Sequence, residues 1–232
     1  MQRLDKILSE AGCGSRKELR TLIRSGAVMV NGTPVCREDE KFEPKDIQIT
    51  INGRPVQTIG TIWLMLHKPV GYVTSVEDPR DVTVMELLPE EYCAAGIFPV
   101  GRLDKMTSGL LIFTNDGSAA HRMISPKYAV EKQYRAEHEG TSTEEDVQAF
   151  AEGLVLRDGT KCRPAQLVPL GPGCSEIVVT EGKYHQVRRM MAARGMAVTG
   201  LKRLREGMLE LGDLPVGACR RLTETEISQL LH

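Results

Sequence analysis

The sequence predicts an α+β protein: a small N-terminal helix-turn-helix and hairpin unit, then a larger domain on a mixed, mainly antiparallel sheet with flanking helices. Three observations carry this. The opening residues repeat apolar side chains at helical spacing. From Ile62 that rhythm gives way to short apolar runs: WLMLHKP, GYVTS, IFPVG, LLIFT, VEKQYRA and EIVVT. These runs lack the regular strand-helix alternation of a doubly wound parallel sheet.

The elements follow in order. Leu4, Ile7, Leu8 and Ala11 line one face of a short helix that Gly12 stops. Ser15-Arg16-Lys17-Glu18 is a capping box, Leu19, Leu22 and Ile23 form the next apolar stripe, and Gly26 follows as a C-terminal cap. Arg16, Arg20 and Arg24, four apart, share the opposite face of that helix with Lys17, joined by Arg3 and Lys6 from the first helix. Residues 1–32 hold six basic and three acidic side chains. Such a face is either solvated or a clamp for an RNA backbone, and pattern alone leaves both open. Val28-Met29-Val30 and Pro34-Val35 flank an Asn31-Gly32 turn, the signature of a hairpin, and residues 47–51 alternate like a half-buried strand. Residues 52–61 break both periodicities and read as a linker, so the domains are 1–58 and 59–232. Helices are expected over 82–88, 117–124, 143–152, 185–194 and 223–231.

Composition narrows the function. The chain has 30 basic and 31 acidic residues, which argues against a uniformly basic coat but not against local patches. One patch is evident: seven Lys or Arg and no acid between Lys183 and Arg205, either an exposed surface or a phosphate-facing strip. Four Phe, five Tyr and one Trp are too few for a long stacking platform, although one or two placed aromatics suffice for a single base. Six scattered cysteines form no Cys-x-x-Cys pair and the five histidines keep no ligand spacing, so no metal site is expected. The start, MQRLDKILSE, is no signal peptide and no stretch reaches the roughly 20 apolar residues of a membrane helix. A cytoplasmic protein with free thiols is expected. Phosphate-cradling loops, a Ser-His-Asp set and dinucleotide fingerprints are lacking, since GPGCSE misses the spacing.

What remains is a carboxylate. In GRLDKMTSGLLIFTNDG, Gly101–Gly117, Asp104 sits between Arg102 and Lys105 on a tight loop at the mouth of a buried strand. An Asp in such a loop is ordinarily a turn residue, and its chemistry stays open on this pattern.

RLDKIL, SRKELRTLIRSGAVMVNG and the strand after them resemble the small RNA-binding domain named after a primary small-subunit ribosomal protein. KPVGYVTS, FPVGRLDKMTSGLLIFTNDG, EKQY and EGKYHQVRRM, in this order, resemble the RsuA-type pseudouridine synthases of ribosomal RNA. The likeness covers nearly the whole chain. It implies isomerisation of uridine to pseudouridine without a cofactor. Asp104 would be the reactive carboxylate, as nucleophile at the sugar or as base at the neighbouring ribose carbon. Arg188 would pair with it, and Tyr134 would stack on the target base. By looser analogy Arg102 would fill the space of the flipped base. Arg3, Lys6, Arg16, Lys17, Arg20, Arg24, Lys183 and Arg189 are assigned to RNA binding, Lys132 and His185 either to support or to RNA contact, and His67 and His121 to structure. Pro126 and the short C-terminus point to 16S RNA, with 23S RNA the alternative and a non-catalytic ribosome-assembly protein the rival class. The expected partner is ribosomal RNA or a partly assembled small subunit, met by a monomer. Two positions depart from the family pattern: Met106 stands where a polar or acidic residue is usual, and Glu206 interrupts LKRLREG where an apolar one is usual.

Overall fold

The computed structural model describes residues 1–44, 47–56 and 60–231. The expected domain boundary, between 58 and 59, lies outside the described residues. Two compact units emerge: Met1–Ile62 with Leu88–Phe98, and Trp63–Leu87 with Pro99–His232. That a segment around residue 90 groups with the first unit is invisible in the sequence, because compactness follows spatial neighbours and not chain order.

The first unit contains β1 (Gln2–Arg3), α1 (Leu4–Glu10), α2 (Arg16–Arg24), β2 (Val28–Val30), β3 (Thr33–Pro34), β4 (Lys41–Phe42), β5 (Ile49–Ile51), β6 (Arg54–Val56) and α3 (Glu90–Ala94). The capping box forms as expected: the Ser15 hydroxyl accepts from the Glu18 amide, and the Glu18 carboxylate accepts from the Ser15 amide at 2.8 Å. Both stripes close on one core of Leu4, Ile7, Leu8, Leu19, Ile23, Val28, Val30 and Ile49. Asn31 and Gly32 both take positive φ, the turn geometry that matches strand twist, and the Asn31 side chain accepts from the Gln48 amide. The sheet order is β3-β2-β5-β6, antiparallel throughout.

The second unit contains β7 (Trp63–Lys68), β8 (Phe98–Val100, where the chain crosses between the units), β9 (Ser108–Thr114), α4 (Gly117–Ile124), β10 (Lys132–His138), α5 (Glu144–Glu152), β11 (Gln166–Gly171), β12 (Cys174–Val179), α6 (Gln186–Ala193), β13 (Val198–Glu206), β14 (Leu209–Glu210), β15 (Cys219–Arg221) and α7 (Glu224–Leu231). Its sheet runs β11-β12-β10-β13-β9-β7-β15, and only the β13-β9 pair on this path is parallel. The mixed, mainly antiparallel sheet is as expected. Within the first unit, residues 54–56 of the expected linker form β6 instead, because Asn52 and Gly53, both at positive φ, turn the chain back to pair with β5. Two local expectations fail in the second unit. Residues 82–88 form a single 3-10 turn, Val84–Leu87, and GYVTS forms an isolated bridge, Val73 to Thr83, instead of a strand. The bridge consists of the Val73 amide to Val82 and the Val84 amide to Val73, and it goes no further because the next amides, Ser75 and Glu86, donate to Val73 and Thr83 within their own segments.

The parallel contact depends on one glycine. Gly109 holds φ +111, and a Cβ there would lie 2.2 Å from the Arg203 carbonyl oxygen. Only glycine lets β9 approach β13 this closely, and that approach brings the loop before β9 beside β13.

Candidate active site

The loop carrying Asp104 is held from beneath by Lys68, the last residue of β7. Its side chain is fully buried, and its ammonium donates to the carbonyls of Pro69 (3.0 Å), Asp104 (3.2 Å), Lys105 (3.4 Å) and Thr107 (2.9 Å). Burial pushes the Lys68 amine down to about 8, while the Asp104 charge works the other way. Thr74 adds a second tether, donating to the Leu103 carbonyl at 2.7 Å and accepting from the Leu103 amide at 3.2 Å. The backbone on both sides of Asp104 is thus fixed while its carboxylate stays about one-third exposed (34%).

The expected ion pair between Arg188 and Asp104 does not form. Arg188 donates to the Met106 carbonyl at 2.8 Å and the Val198 carbonyl at 2.9 Å, tying α6 and the start of β13 to the reactive loop. Two carbonyls of fixed spacing suit the guanidinium fork, and each Nη of Arg188 is turned to one of them. The ring that does approach Asp104 is His185, whose Nε2 lies 3.6 Å from Oδ1.

Tyr134 is buried on β10, and burial raises its phenol above the usual range, with the charges of Glu206 and Asp104 adding to that and Arg203 opposing it. Directly opposite Tyr134 in the β10-β13 ladder stands Arg203. The register slips there, from Gln133-Arg205 to Tyr134-Arg203, so residue 204 is passed over. This bulge changes the burial period of β13: Leu201, Arg203 and then Glu206 face inward. Arg203 and Glu206 are both buried with 3.0 Å between Nη2 and Oε2, and Arg203 Nε donates to the Leu110 carbonyl at 2.8 Å. The 3.0 Å contact lacks hydrogen-bond alignment, and neither Glu206 oxygen has a hydrogen-bond partner, so the pair is held by charge. Lys132 Nζ is 3.9 Å from Glu206 and donates to Val130. Glu206, the residue that departs from the family pattern, therefore answers a buried arginine.

The other assigned residues divide. Arg16, Lys17 and Arg20 are exposed along α2, whereas Arg3 holds Asp5 (2.8 Å) and Arg24 holds Glu38 (2.6 Å), which offsets much of their charge. Lys6 is half-buried. Arg102 is exposed on the reactive loop. Lys183 pairs with Glu181 (2.9 Å), and Arg189 with Asp158 (2.5 Å). His67 is buried with Nδ1 2.6 Å from the Leu214 carbonyl oxygen. No group of three or more His, Cys, Asp or Glu among the described residues is placed to hold a metal ion. Sequence reasoning missed Lys68 and Arg203. For Lys68 the available signal was a lysine closing the apolar run WLMLHK, whereas Arg203 became legible only through the register of β13 against β10.

Comparison with known proteins gives two family matches: RNA pseudouridylate synthase over residues 62–193 and the S4 domain over residues 2–47. The chain is 40% identical to an uncharacterized RNA pseudouridine synthase of Bacillus subtilis, YtzG, over 98% of both chains. It is 38% identical to ribosomal small subunit pseudouridine synthase A of Escherichia coli, covering 99% of this chain and 100% of that one. Identity to ribosomal large subunit pseudouridine synthase B of Bacillus subtilis is 35%, over 99% and 96%. A crystal structure of a pseudouridylate synthase superposes with a TM-score of 0.70 at 35% identity, covering 99% and 100%.

Proposed function

The chain belongs to the RNA pseudouridylate synthase family, and from that premise we propose that it isomerises one uridine of 16S ribosomal RNA to pseudouridine, with Asp104 as the reactive group. The observation that carries the assignment is the contrast within one loop: backbone immobilised by Lys68 and Thr74, carboxylate left accessible. A turn or capping aspartate uses its oxygens on nearby amides. The oxygen of Asp104 faces a histidine ring and solvent.

The reaction breaks the bond between ribose and ring nitrogen, turns the freed uracil, and joins it through carbon 5, whose proton leaves. Atoms and electrons balance within the substrate, so one carboxylate suffices, by attack on the sugar carbon or by removal of the neighbouring ribose proton. The target must first leave its helix, at a cost of a few kcal/mol. Tyr134 offers its ring to the extruded base, and because burial keeps its phenol protonated it serves as a face and a hydroxyl, not as a phenolate base. Arg188 acts by positioning, through the Met106 carbonyl two residues after Asp104. The N-terminal unit and the exposed arginines of α2 hold phosphates, which place the RNA without reading it. We take the enzyme to act in the cytoplasm, as a monomer, on RNA or a partly assembled subunit.

A second reading, 23S RNA as substrate, is favoured by the 35% identity to the large-subunit relative. Mapping pseudouridine across both ribosomal RNAs from a strain lacking this protein decides between them: one mark missing from 16S RNA is expected, and one missing from 23S RNA alone overturns the subunit. Ribosomal RNA tritiated at carbon 5 tests the chemistry, where tritium release without free uracil is expected. Binding without release would make the protein an assembly factor.

A further inference from the structure

Tyr184 is the most exposed aromatic residue of the basic strip, at 74%. Its ring is nevertheless ordered by a stack: it lies on His185 with centroids 4.0 Å apart and planes inclined by 15°. His185 is itself the ring 3.6 Å from the Asp104 carboxylate, so the stacked pair stands beside the reacting group. The pair is built on an unusual backbone. His185 holds φ 48 and ψ 35, the left-handed conformation that a non-glycine residue adopts at a cost, immediately before α6. The Tyr184 carbonyl accepts from Arg189 Nη1 at 3.3 Å, and Arg189 is anchored in turn by Asp158. One face of the Tyr184 ring is thus spent on His185, and most of the rest of the side chain is open to solvent.

We propose that the outer face of Tyr184 is a subsite for an unpaired nucleobase next to the target uridine. This rests on the reading of Asp104 as the reaction centre. Extruding a uridine removes a stacking partner from each neighbouring base. A flat aromatic face stacked on the ring that meets Asp104 replaces that lost stack, and any of the four bases can use it. Arg188 and Arg189, on the first turn of the helix that follows, bring positive charge to the same stretch of backbone. His185 transmits the geometry, since it touches both the carboxylate and the tyrosine. The stacked pair would thus register the flanking nucleotide against Asp104.

The experiment separates binding from chemistry. In the Asp104→Asn protein, which retains RNA without turning it over, Tyr184→Ala is expected to weaken binding of the ribosomal RNA fragment that contains the mapped uridine. The loss should be about five- to a hundred-fold, the size of one base-aromatic stack. Tyr184→Phe and Tyr184→Trp should keep the affinity, because they keep the face. An abasic residue at one of the two flanking nucleotides should remove the difference between the Tyr184→Ala protein and its parent. Equal binding by Tyr184→Ala, an equal loss in Tyr184→Phe, or no coupling to either abasic position overturns the subsite. An effect seen only with protein-bearing particles and not with naked RNA assigns the face to a ribosomal protein and overturns it as well. Failure of the wider reading looks different: the unaltered protein would bind the fragment yet form pseudouridine neither in it nor in a partly assembled small subunit.

Discussion

Tyr134 and Arg203 stand directly opposite one another across the β10-β13 ladder, both buried, and the bulge that aligns them also turns Glu206 toward the arginine. Removing one member of a buried pair strands the other charge. Glu206→Gln should therefore destabilise the fold by about 3–5 kcal/mol, whereas the double replacement Arg203→Met with Glu206→Leu should recover most of it. Urea unfolding midpoints check both. A single variant as stable as the parent would show that the carboxyl is not holding the arginine.

Asp104→Asn keeps the shape of the side chain and removes its charge. Tritium release should fall below detection while RNA affinity stays within a few-fold, and activity within about tenfold of the parent would remove Asp104 from the chemistry.

Lys68 predicts a pH dependence of stability. Its amine is held at about 8 in the folded protein against 10.5 for the free group. Between those values the unfolded chain binds the extra proton, so folding stability rises with pH across this window, and the cost of burying the charge is fully present below pH 8. Against a Lys68→Met protein, in which the other titrations cancel, the parent should gain about 3 kcal/mol from pH 8 to 10.5. A difference that does not change with pH contradicts the buried ammonium.

Arg188→Lys should not restore what Arg188→Ala loses. One ammonium cannot span the Met106 and Val198 carbonyls in the way the fork does. Each variant should lose about 1–3 kcal/mol of stability for the stranded carbonyls and turn over more slowly, with faster amide exchange in the Asp104 loop. Full activity in the lysine variant would limit Arg188 to a generic charge.

Replacing Arg16, Lys17 and Arg20 together by alanine should flatten the dependence of log K on log salt by about one unit for each phosphate that is no longer neutralised. Arg24→Ala should change it less, since Glu38 already offsets that charge. Equal slopes for the triple variant and the parent would take α2 out of the RNA interface.

The N-terminal helices, their capping box, the Asn-Gly hairpin and the mixed, mainly antiparallel sheet were legible in the sequence, because each rests on interactions within a few residues or on the period with which apolar side chains recur. Family motifs pointed to Asp104 and Tyr134 for the same reason: both lie inside contiguous signatures. What only the tertiary structure decided is which groups meet across distant segments. Arg188 grips two carbonyls instead of Asp104, Lys68 gathers the reactive loop from the end of another strand, and Glu206 reaches Arg203 through a slip in register. A bulge leaves no mark in a period-two pattern until the partner strand is known. A buried charge likewise reads as an exposed one until its surroundings are. Local pattern sets the elements, whereas close approach, such as that of Gly109 to Arg203, sets which side chains are paired.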